Sequence, residues 1–110
     1  MAVTLKTQEP ARLLAIFREA VTSGLVGDWT TNRQGQFTQT AQRWARQAWV
    51  TPTITQGTLC FSVVRSGPTP LHRETYAHYQ AKLAETFIRY FFEHCQDITV
   101  SANATLLEAA

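Results

Sequence analysis

The chain has 110 residues, a formal net charge of +2, 45% hydrophobic residues, 11% aromatic residues and only 16% charged ones. That length predicts one domain over residues 1–110, with enough apolar content to fold without disulfides or a metal. The small net charge does not by itself imply a nucleic-acid partner. Met1–Pro10 lacks the apolar segment of a secretory leader, and no run approaches the ~20 apolar residues of a membrane helix.

Taken in order, Thr7–Gly24 has helical spacing, with Leu13, Leu14, Phe17, Ala20 and Val21 as an apolar stripe and Arg12, Arg18 and Glu19 opposite. Thr7 reads as its cap, Glu9 and Pro10 as its first turn, and Gly24 and Gly27 as its end. Asp28–Gln39 is polar, anchored by Trp29 and Phe37, and reads as a short strand followed by a turn at Gln34-Gly35. Thr40–Val50 is ambiguous. Ala41, Trp44, Ala45, Ala48 and Trp49 share a helical face, which favours a short helix, whereas Trp49–Thr55 is rich in β-formers that can extend a strand backwards.

Thr53–Arg65 carries the clearest β-pattern. Leu59, Phe61 and Val63 alternate with Cys60, Ser62 and Val64, and Gln56-Gly57 suits a tight turn. Ser66–Pro70 is a loop stiffened by two prolines. Leu71–Cys95 is the long helix, with Thr69 as cap and Pro70 at its first position. Tyr76, Leu83, Phe87, Tyr90, Phe91 and His94 fall on one side. Tyr79, Ala84, Ile88, Phe92 and Cys95 widen it into an apolar arc broader than one packing contact needs. Ile98–Ser101 alternates as a last strand, and Asn103–Ala110 either frays or docks through Leu106 and Leu107. Together these elements predict an α+β fold: a short antiparallel sheet with both helices packed on one face. The other sheet face, carrying Cys60, Ser62 and Val64, would be semi-polar and available to a partner or a pocket.

Charge is unevenly spread. Residues 29–73 contain Arg33, Arg43, Arg46, Arg65 and Arg73 and no acid, whereas the C-terminal third is acidic through Glu74, Glu85, Glu93, Asp97 and Glu108. Arg33, Arg43, Trp44, Arg46 and Arg65, with Trp49, form a candidate anion- or nucleic-acid-binding set, because arginines hold phosphates and indoles stack on bases. The arginines are sparse for such a footprint, and they suit an acidic protein partner equally. Glu74 and His78 stand at i,i+4 and can form an acid–base or metal pair, but the sequence offers no cluster to supply a third ligand, and an exposed charge pair is the plainer reading. With Tyr76 and Tyr79 they are candidate residues at a pocket mouth. His94 reads as a core-edge residue. It points about 100° away from Cys95 on a helix, so the two do not form a catalytic pair. Cys60 and Cys95 have no CxxC neighbour and read as buried reduced thiols, in keeping with a cytoplasmic address.

No phosphate loop, dinucleotide fingerprint or nucleophile elbow occurs. The expectation is therefore a non-catalytic interaction or adaptor domain that associates with itself as a homo-oligomer, without cofactor, metal or membrane. The anion- or nucleic-acid-binding module and the small-ligand pocket or enzyme beneath the aromatic helix stand as alternatives.

Overall fold

The structure is a computed structural model that describes residues 2–68 and 70–101. The proposed cap Thr69 and the tail Asn103–Ala110 lie outside the described residues. Nine elements follow in order: β1 (Ala2–Lys6), α1 (Pro10–Thr22), β2 (Trp29–Thr31), β3 (Phe37–Gln39), β4 (Ala48–Thr55), β5 (Thr58–Arg65), α2 (Arg73–Phe91), a 3-10 turn (Phe92–His94) and β6 (Asp97–Val100). The fold is α+β, as the periodicities predict.

All strand pairs are antiparallel and form one sheet of order β2-β3-β4-β5-β1-β6. Within it, β1, α1, β4, β5, α2 and β6 have the connectivity of a split β-α-β pair, and the β2–β3 hairpin extends the sheet beyond β4. β1 is an interior strand that the sequence reading overlooked. Its five residues alternate, with Val3 and Leu5 fully buried and Lys6 exposed, but so short a run carries little periodic signal.

Both helices cover one face. Leu13, Phe17, Ala20 and Val21 of α1 and Tyr79, Leu83, Phe87 and Phe91 of α2 meet Val3, Leu5, Phe37, Val50, Leu59, Phe61 and Val63 of the sheet. Phe17 is the hub. Its ring lies 4.7 Å from Phe37, 4.9 Å from Phe87 and 5.7 Å from Phe61, centroid to centroid, distances at which aromatic pairs add to simple burial.

Several local expectations are corrected. α1 starts at Pro10, with Glu9 rather than Thr7 at the cap position; the Thr7 hydroxyl only accepts the Glu9 N–H at 3.4 Å. α2 starts at Arg73, capped by an extended His72, so Pro70 lies before the helix, and the α-helix gives way to the 3-10 turn after Phe91. Tyr90 and His94 are exposed rather than inward. Thr40–Val50 is not a helix. One turn forms as Ala45 N–H reaches Ala41 C=O at 2.8 Å; Arg46 then adopts a left-handed φ of 60°, and β4 begins at Ala48. Tertiary bonds hold this turn. The Arg46 N–H donates to Thr38 Oγ1, the Thr38 hydroxyl donates to Ala48 C=O, and the Tyr79 hydroxyl donates to Trp44 C=O.

Pro52 is tolerated inside β4 because β3 pairs with β4 only at Phe37–Val50, leaving the outer side of β4 open further along. The β4–β5 turn forms where it was expected, with Gly57 at φ 73°. Among the described residues no helix is long and apolar enough to cross a membrane.

Candidate functional site

Arg33 is separated from the rest of the basic set, whereas Arg43, Trp44, Arg46 and Arg65 gather about the turn before β4. Arg33 sits at the tip of the β2–β3 hairpin, beside a depression also lined by Arg18 and Gly35. Asn32 organises that tip, its Oδ1 accepting the N–H groups of Gln34 and Gln36 at 3.0 and 2.9 Å. Arg43, Trp44 and Arg46 lie in the turn before β4. Arg65, at the end of β5, pairs in register with Ala48. Arg46 shares a cleft with Ser66, His72 and Thr75 at the start of α2. The Trp44 ring is engaged by its own chain: His78 stacks on it at 3.9 Å, and the Arg43 guanidinium lies 4.9 Å from its centroid. Trp49, half-buried, belongs to the helix-free sheet face, opposite Val64.

The residues expected at a pocket mouth also separate. Tyr79 is fully buried, its hydroxyl shared between Trp44 C=O and Thr38 Oγ1. Tyr76 is half-buried against the core and Glu74 is exposed. Burial, followed by the nearby Lys82 and Arg43 charges, holds the His78 pKa below its ordinary value. Lys82 bridges Asp28 and Glu85 at 3.1 and 3.0 Å, and the hydrogen bond to Glu85 is the main reason its own pKa is raised. Among the described residues, no three His, Cys, Asp or Glu side chains gather in a way that could hold a metal ion.

Both cysteines are free and half-buried. Cys60 lies on the helix-free face, where its sulfur accepts the Thr4 hydroxyl at 3.8 Å. Cross-strand register aligns Thr99, Thr4, Cys60 and Thr53 in one row, and Ser62 with Thr51 in the next. This face is rich in hydroxyls and carries charge only at its Lys6–Asp97 end. Cys95 sits where α2 meets β6, and burial pushes its thiol pKa up.

That junction concentrates exposed apolar surface. Ile88 and Phe92 are 58% and 64% exposed, and Val100 is 47% exposed. Ile88, Phe92, Cys95 and Ile98, with the polar Gln96 and Asp97, line a shallow groove of about 310 Å³ at the start of β6. The breadth of the apolar arc had marked Ile88, Phe92 and Cys95. Ile98 joins them only because α2 returns the chain to the sheet edge beside β1. No protein-family model, curated protein or solved structure matches this chain.

Proposed function

We propose that this chain is a non-catalytic interaction domain that associates with a second copy of itself through the junction of α2 and β6. The observation that carries the reading is the exposure of Phe92 and Ile88 beside the groove at that junction. Each such side chain, already partly covered, forgoes about 1–2 kcal/mol by staying in water, and a contiguous apolar patch on a small domain is the usual mark of an interface. Two of the side chains that had suggested chemistry serve the fold, which supports this reading: Tyr79 braces the turn before β4 and His78 stacks on Trp44. Two unpaired cysteines suit a reducing compartment such as the cytoplasm.

Sedimentation equilibrium over a micromolar concentration series tests the reading. The expected mass is twice the 12.4 kDa of one chain, and a single-chain mass throughout would overturn it.

A further inference from the structure

Self-association leaves open how the two copies meet, and the backbone of β6 answers that question. β6 is the outermost strand on its side of the sheet. The other outermost strand, β2, has only three residues. Edge strands are normally guarded against pairing by shortness, proline, lysine or a bulge. Asp97-Ile98-Thr99-Val100 has neither proline nor lysine, and its one charge is at its start.

The hydrogen-bonding direction of each residue follows from two bonds. Thr7 N–H donates to Gly57 C=O at 3.0 Å, and Ser101 N–H donates to Ala2 C=O at 2.9 Å. An antiparallel ladder alternates, so the odd residues of β1 face β5 and its even residues face β6. With Thr4 opposite Thr99 and Leu5 opposite Ile98, Thr99 is turned inward to β1. The N–H and C=O groups of Ile98 and Val100 point outward, away from the sheet. The side chains of these two residues share the helix-covered face with Leu5 and Val3, next to Phe92 and Ile88.

Resting on the self-association reading, we propose that β6 pairs antiparallel with β6 of a second copy about a two-fold axis at Thr99. Ile98 of each copy then exchanges both backbone bonds with Val100 of the other. The two sheets become continuous, with the helices of both copies on the same side. Phe92 and Ile88, which lie by Asp97 and Ile98, then face the Val100 end of the partner's β6, over the joined strands. This register sets Thr99 against Thr99 and Asp97 against Ser101. Centring the axis on Asp97 would instead oppose two carboxylates, which is unfavourable. Phe92, Ile88 and Val100 are 64%, 58% and 47% exposed, so the pairing covers apolar side chains as well as the strand edge.

Two substitutions in the full chain test the pairing. Val100→Pro removes an N–H that points away from the sheet and meets no partner among the described residues, so the circular dichroism spectrum should be retained while the mass falls to one chain. Thr99→Cys places two thiols across a close antiparallel pair, within the reach of a disulfide. It should give a covalent dimer on air oxidation, which Thr30→Cys, exposed on β2 at the opposite edge of the sheet, should not. If the native chain is dimeric but Val100→Pro stays dimeric and Thr99→Cys fails to cross-link, the strand pairing is wrong and self-association stands. If the native chain is monomeric, the self-association reading itself fails.

Discussion

The imidazole of His78 lies flat on the indole of Trp44, with centroids 3.9 Å apart and planes within 10°. The stack joins the turn before β4 to the first half of α2. Burial first, then Lys82 and Arg43, lowers the His78 pKa from the ordinary 6.5. A histidine with a lowered folded-state pKa binds protons more readily when unfolded, so it contributes stability above the unfolded-state pKa that is lost as pH falls through the folded one. The thermal midpoint should therefore drop as pH falls from about 7 through 6.5 and below, and His78→Phe should flatten that part of the profile.

Lys82 offers a separate check on the same electrostatics. It is one of the two cations that hold His78 down, and it also bridges Asp28 and Glu85 on a partly exposed surface. Such ion pairs contribute about 0–1 kcal/mol, so Lys82→Met should cost less than ~1 kcal/mol in urea unfolding. The same substitution should raise the His78 pKa towards its ordinary value in an NMR titration of the imidazole.

A different outcome is expected for the bond between Trp29 and Thr86. The indole N–H donates to Thr86 Oγ1 at 3.0 Å inside the core, and the Thr86 hydroxyl passes its own proton to Lys82 C=O at 2.7 Å. Both residues are 2% exposed. Thr86→Val keeps the shape of the side chain but strands the indole N–H away from water, at a cost of about 1–3 kcal/mol. Urea unfolding should show that loss with an unchanged denaturant slope. Adding Trp29→Phe to Thr86→Val should cost less than the two single losses combined, because the stranded donor is removed.

These buried polar pairs also show where sequence reading reaches its limit. Leu59, Phe61 and Val63 on β5, and Leu13 and Phe17 on α1, were legible because each period reports which face is covered. Thr38, Gln80 and Thr86 are neutral polar residues that carry no such signal, yet they are buried and bind groups far away in the chain. Gln80 reaches Ala2 C=O and Ser101 C=O, and Thr38 holds the turn that displaced the expected helix over Thr40–Val50. Local propensity favoured that helix, and non-local hydrogen bonds overrode it. The candidate site divides in the same way. Excess apolar width on α2 pointed to Ile88 and Phe92 from spacing alone. That β6 would stand at an edge beside them depends on the order of six strands, which no local pattern specifies.

Gln39 tests the opposite side of polar burial. Its side chain is 2% exposed on β3, in register with Trp29, and among the described residues its Nε2 has no hydrogen-bond partner. A buried amide that leaves a donor unpaired costs about 1–3 kcal/mol by mutational measures. Methionine has the same unbranched length, no donor, and enough flexibility to fill the space. Gln39→Met should therefore stabilise the domain by about 1 kcal/mol and raise the melting temperature by about 4 °C. Gln39→Glu keeps the shape but places a carboxylate in the same enclosure, and it should destabilise the domain above the ordinary carboxylate pKa, with recovery as the group protonates at low pH. Calorimetry of the two variants at neutral pH separates these effects. A destabilised methionine variant would mean that the amide is held by bonds strong enough to outweigh its unpaired donor.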